Sequence, residues 1–216
     1  MRNHMSASKW SRREILILSA AGAMSHFVPV GRRSNLSAAE APSELFRASV
    51  HQLAGLIRQK KASSLEVVNA CLARIGQVNP KINAVVALVA EQARAQAKIA
   101  DQALARGEVI GPLHGIPMTI KDSLDTAGVV TTAGTQGRKS FVPTDDATVV
   151  KRLKAAGAIL LGKTNTPELT CAWETDNLVY GVTNNPWNPK LSCGGSSGGA
   201  GAIVAAGGVP FDIGSD

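Results

Sequence analysis

The 216-residue sequence predicts an α/β fold, with a mixed β-sheet flanked by helices and a helical segment leading into it. Three observations carry this. Residues 44–107 place apolar side chains at helical spacing. From Gly111 onward, Gly and Pro punctuate short apolar runs. A helical pattern at 146–156 then separates two such runs, and alternating strands and helices favour a largely parallel or mixed sheet. Hydrophobic residues make up 44% of the chain, enough for a packed core, which excludes wholesale disorder. The 21 glycines follow no three-residue period, which excludes collagen, and three cysteines cannot close a disulfide framework.

Residues 1–39 read as an export signal. Ser11-Arg12-Arg13-Glu14-Ile15-Leu16 ends a basic stretch, and an apolar stretch follows over 15–30, broken by Ser19, Ser25 and His26. It falls short of the roughly 20 apolar residues of a spanning helix, so no stable membrane anchor is expected. Ser37-Ala38-Ala39 offers small residues for cleavage. The paired arginines resemble a twin-arginine signal, which implies a periplasmic protein. The alternative is an ordinary basic N-terminus on a cytoplasmic protein. Six basic residues and one acidic residue lie in 1–39, against 17 and 15 in 40–216. The net charge of +7 therefore belongs mostly to the leader. With 4% aromatics and no basic stripe in the body, no nucleic-acid partner is expected.

The body opens with a helix carrying Val50, Leu53, Ala54 and Ile57 on one face, ended by Lys60-Lys61. Ser63-x-x-Glu66 is a capping box, and Val67, Val68, Cys71, Leu72, Ile75 and Val78 form the stripe behind it. That helix is expected to stop at Asn79-Pro80. Residues 84–89 are a short apolar run, and 91–106 an Ala-rich helix ended by Gly107. Met118-Thr119-Ile120 and Val129-Val130-Thr131-Thr132 are apolar runs. The helix at 146–156 turns Val149, Val150 and Leu153 inward, and Ile159-Leu160-Leu161 is a buried strand.

Residues 157–164 match the phosphate-loop pattern G-x-x-x-x-G-K-[ST]. Its four middle residues are themselves the strand, and Pro167 prevents a long helix after Lys163, so the match is rejected. Gly111-Pro112-Leu113-His114-Gly115-Ile116-Pro117-Met118-Thr119-Ile120-Lys121-Asp122 ends an apolar strand in a lysine. Burial disfavours a charged amine, and a neutral amine can act as a base. The plainer reading is a strand-end lysine reaching solvent or paired with Asp122. Gly194-Gly195-Ser196-Ser197-Gly198-Gly199 places two serines between paired glycines and runs into an apolar helix at 200–206, whose first amides are expected to aim outward. A flexible linker would not continue into Ile203-Val204-Ala205-Ala206, nor follow the rigid turn Asn185-Pro186-Trp187-Asn188-Pro189.

Together these segments resemble the amidase signature family of amide hydrolases, over nearly all of 44–216. The Gly-Gly-Ser-Ser-Gly-Gly run and the turn before it look like its defining motif, 111–122 like its lysine segment, and Gly162-Lys163-Thr164-Asn165-Thr166-Pro167-Glu168 like its intervening strand and turn. The resemblance implies the amidase signature fold and a Ser–cis-Ser–Lys triad. Lys121 matches the base and Ser196 the bridging serine, after a cis peptide bond from Gly195. Ser197, Ser215 and Asp216 match supporting positions of the loop, and Thr170 a position that lines the acyl site. The family's attacking serine follows the Gly214-Ser215-Asp216 element. The expectation is therefore the N-terminal part of an amidase domain over 40–216, inactive alone, with a small-molecule amide as substrate. The A-subunit of a tRNA-dependent amidotransferase and a non-catalytic binding fragment are the alternatives, and the leader argues against the first. No cofactor is expected. Four histidines without paired spacing give no metal site, His114 among them, and Cys71, Cys171 and Cys193 are assigned to packing.

Overall fold

The computed structural model describes residues 42–215. The leader, with its paired arginines and cleavage site, and Asp216 lie outside the described residues. After a 3-10 turn at Pro42–Arg47, the elements run α1 (Val50–Arg58), α2 (Ser64–Ile82), β1 (Val85–Leu88), α3 (Ala90–Ala105), β2 (Pro117–Lys121), α4 (Thr148–Ala155), β3 (Ile159–Thr164), α5 (Gly198–Ala205) and β4 (Asp212–Ile213). The sheet order is β1-β3-β2-β4. β1 runs antiparallel to β3, while β2 is parallel to both β3 and β4. This is the mixed sheet the alternation predicts. No helix among the described residues is long and apolar enough to cross a membrane.

Local chemistry fixes the helix ends. Ser63 and Glu66 form the reciprocal box at the start of α2, and the Asp101 carboxylate accepts from the amides of Ser64 and Leu65 at 2.7 and 3.1 Å. Four donors that no carbonyl can reach are thereby satisfied or neutralised at one helix end. The far end departs from expectation, because α2 continues through Pro80 to Ile82. Proline in the last turn removes one amide, and few turns remain to be disturbed. The exit is set by Asn79, whose Oδ1 accepts from Ala84 and Val85 and whose Nδ2 donates to the Val85 carbonyl.

Helices cover both faces of the sheet. On one side, Val68, Cys71 and Ile75 of α2 pack with Ala93 and Ala97 of α3, Ile159 and Leu161 of β3, and Ile203 of α5. On the other, Met118, Ile120 and Leu160 pack against Val150 of α4 and Val129. A third cluster joins Leu53 and Ile57 of α1 to Val67 and Ile116. In α4, Val150 is buried and Leu153 half-buried, but Val149 is exposed. The inward stripe is Ala147, Val150 and Leu153, a spacing of three that rotates Val149 out of the cluster. The run 129–132 forms no strand; Val129 reaches the core from a loop.

Gly162 explains the phosphate-loop match. It lies inside β3, where a Cβ would stand 2.2 Å from the Ala87 carbonyl oxygen. The glycine serves close strand approach, and no helix follows it.

Candidate active site

Lys121 is the last residue of β2 and is fully buried. The solvent-reaching alternative is thereby corrected: its strand lies inside the sheet, and its side chain turns toward the start of α5. Its Nζ donates to Ser196 Oγ at 2.6 Å, to Ser197 Oγ at 3.0 Å and to the Ser215 carbonyl at 3.0 Å. The structure thus brings together Lys121, Ser196, Ser197 and Ser215 from three separate stretches of chain. The Gly195–Ser196 peptide bond is cis. A Cβ on Gly195 would stand 2.7 Å from the Trp173 backbone, so only glycine lets the 172–174 segment lie against the loop.

Ser197 stitches the loop to the segment after β4. Its hydroxyl donates to the Ser215 carbonyl at 2.9 Å and accepts from the Ser215 amide at 3.1 Å. The first amides of α5 do not aim outward as expected. Gly198 N–H donates to Thr175 Oγ1 at 3.0 Å and Gly199 N–H to the Asn165 carbonyl at 3.3 Å. These donors hold the loop in place.

Sequence reasoning missed much of the support. Thr166 donates its hydroxyl to the Ser196 carbonyl, and Thr175 to that of Gly194, at 3.0 and 2.9 Å. Asn165, fully buried, bonds the Ala84 carbonyl through its backbone and Gly181, Thr183 and Asn177 through its side chain. Polar residues within apolar surroundings were the available signal. Thr170 is half-buried in the 3-10 turn Glu168–Thr170, at φ 63, shortly before the segment that touches Gly195. No hydrogen bond among the described residues joins it to Lys121 or the serines.

A second lysine, Lys163, is also fully buried. Its Nζ donates to the Leu124 carbonyl at 2.5 Å and to the hydroxyls of Thr126 and Thr131, both at 3.0 Å. Desolvation pulls its amine down to about 8, with Asp122 and Asp125 acting in the opposite sense. Burial lifts the Asp212 carboxyl to about 6, although Thr119 and Thr164 donate to it. Burial likewise raises Asp122, which accepts from the amide and hydroxyl of Thr132.

His114 is a structural residue: its Nδ1 accepts from the Ile110 amide and its Nε2 lies 3.1 Å from the Ala100 carbonyl. Cys71 is buried, as its stripe predicts, but Cys171 is exposed and Cys193 half-buried. Packing therefore does not account for Cys171, which sits on the surface turn after Thr170. Trp187 is 82% exposed, so the 185–189 turn is held by its own Asn185, which accepts from the amides of Trp187 and Asn188, and not by burial of the ring. No group of three or more His, Cys, Asp or Glu among the described residues could hold a metal.

The Amidase family model matches residues 66–216. The A-subunit of glutamyl-tRNA(Gln) amidotransferase from Moorella thermoacetica is 46% identical over 173 residues, covering 80% of this chain and 36% of the relative. Indoleacetamide hydrolase of Bradyrhizobium diazoefficiens is 47% identical over 154 residues, covering 71% and 29%. Among solved structures, a fatty acid amide hydrolase aligns at TM-score 0.78 with 31% identity, covering 81% of this chain and 31% of that one. A bacterial aryl acylamidase of the amidase signature enzymes aligns at 0.73 with 34% identity, covering 76% and 34%. The chain spans about a third of the length of the curated relatives it matches.

Proposed function

The chain belongs to the amidase family, and from that premise we propose that the protein cleaves carboxylic amides to acid and ammonia or amine, with Lys121 as base and Ser196 as proton relay. The observation that carries this is the 2.6 Å contact between Lys121 Nζ and Ser196 Oγ at a fully buried amine. The Ser197 hydroxyl already donates to the Ser215 carbonyl. With the amine neutral, its two N–H groups can serve Ser197 Oγ and that carbonyl, and its lone pair can face Ser196 Oγ. Ser196 then gives its proton to the amine and takes one from an attacking serine, whose oxygen adds to the amide carbonyl. The proton returns through the same pair to the leaving nitrogen. Water, deprotonated along the same route, then releases the acid from the acyl-serine.

The attacking serine is the one the family resemblance implies after Asp216. The test is hydrolysis of indoleacetamide, an aryl acylamide and glutamine, using the protein with any sequence its gene encodes beyond codon 216. Hydrolysis of at least one amide is expected. Lys121→Met and Ser196→Ala should each lower kcat/KM by at least about 100-fold, the scale of a lost acid–base group. Full activity in either variant would overturn the reading.

The identity to the amidotransferase relatives favours a second reading, in which the same relay releases ammonia from glutamine for a tRNA-bound acceptor. Glutamine hydrolysis that appears only with partner proteins would select it. The basic, apolar leader supports the simple hydrolase instead, and with it export to the periplasm.

A further inference from the structure

We propose that the groove between the end of α2, the 185–189 turn and the end of α5 binds an aromatic carboxylate, with Arg74 taking the carboxylate, Lys81 adding its charge and Trp187 stacking on the ring. The groove has a volume of about 360 Å³, within the size range of small-ligand sites. None of Lys121, Ser196, Ser197 and Ser215 lines it, so it is separate from the proposed relay. Helical periodicity builds one wall. Arg74, Val78, Lys81 and Ile82 stand at i, i+4, i+7 and i+8 of α2, a single stripe. The facing wall is Pro186 and Trp187 of the turn. The indole is 82% exposed, and Asn185 holds the turn without it. An indole left in water at the edge of a groove offers a flat apolar face to another ring.

Charge selects the occupant. Among the described residues no acidic side chain lines the groove, and neither Arg74 nor Lys81 has a salt bridge. Arg74 is already fixed in place. Its Nε donates to the Ala206 carbonyl at 2.9 Å, its Nη1 reaches Gln77 Oε1 at 3.5 Å, and its guanidinium lies 5.2 Å from the Phe46 ring centre. Its Nη2 has no hydrogen-bond partner among the described residues. A guanidinium held this way loses little freedom when it takes a carboxylate. Val78, Ile82 and Pro186 carry no polar side chain, so a bare hydrated anion gains nothing from them, whereas a ring does. The acid released by the proposed hydrolysis belongs to the same class when its acyl group is aromatic, but the chemistry of the groove stands without that reading.

The experiment titrates the isotope-labelled full chain with phenylacetate and follows the Trp187 indole N–H and the amides of Val78 and Ile82 by NMR. A saturable shift at all three is expected. Phenylacetamide keeps the ring without the charge, and acetate keeps the charge without the ring. Each should bind at least about 10-fold more weakly than phenylacetate. Arg74→Gln should weaken phenylacetate by about 10-fold, the scale of a charge-assisted hydrogen bond. Lys81→Gln should weaken it by about 3-fold, as for an exposed ion pair, and Trp187→Ala by about 5-fold, as for a lost ring contact. The absence of a saturable shift, or a shift confined to Trp173, overturns the proposal. So does binding of phenylacetamide, acetate or inorganic phosphate as tight as that of phenylacetate. If Arg74→Gln does not fold, Lys81→Gln and Trp187→Ala decide at their exposed positions, and unchanged affinity in both overturns it. Failure of the proposed hydrolysis would appear in turnover and leave these titrations untouched, so the two ideas fail separately.

Discussion

Two buried lysines lie on neighbouring strands and do opposite jobs. Lys163 ties the 124–131 loop to β3 through three acceptors. Lys163→Met would leave the Leu124 carbonyl and two hydroxyls buried without that donor. It should destabilise the fold by about 3 kcal/mol in urea unfolding, the scale of breaking a buried charged network. Asp212 makes the converse prediction. Its folded pKa lies above the unfolded value, so its contribution is fully present below about 3.8 and is lost as pH rises through about 6. Asp212→Asn should therefore gain stability relative to the parent chain between those limits, on the order of 3 kcal/mol at neutral pH. Unfolding free energies of both proteins at pH 4 and pH 7 check the sign. A parent that gains stability over the variant as pH rises would contradict it.

Elements in this molecule are set by their ends and by close approach. The start of α2 is held by Ser63, Glu66 and the distant Asp101. Ser63→Ala should cost about 1 kcal/mol, the usual worth of a helix cap. Asp101→Ala removes acceptors from two amides at a part-buried end, and should cost more when the two variants are compared by urea unfolding. In β3, Gly162→Ala would force the new methyl against the Ala87 carbonyl. The β1–β3 pairing must then shift, at about 1–3 kcal/mol, as for other overpacked sites. Faster amide exchange in Val85–Leu88 would report that shift; exchange unchanged there would count against it.

At the scale of the whole molecule, helices on both faces bury a mixed sheet, and the residues of the proposed relay come together where β2, the serine loop and the segment after β4 meet. The export proposed for the leader belongs to this scale. Replacing Arg12 and Arg13 by Lys should hold the precursor in the cytoplasm if the paired arginines are read by the twin-arginine route. Cell fractionation of the two forms tests this, and equal periplasmic amounts would remove it.

The sequence by itself determined the helices, the mixed sheet and the capping box, because periodicity and caps are local signals, while the meeting of positions 121 and 196 was expected only from the family resemblance that the glycine-rich motif carries. It misjudged the end of α2 and the direction of Val149. Both depend on how a helix seats against its neighbours. Only the tertiary structure decided which distant polar residues meet. Thr119, Thr164 and Asp212 are unremarked within their own segments, and they become a carboxylate site only when parallel pairing places three strands side by side. Desolvation, which shifts Asp212 and Lys163 from their ordinary ionisation, is a property of everything packed around a group, and no single segment of the chain contains it.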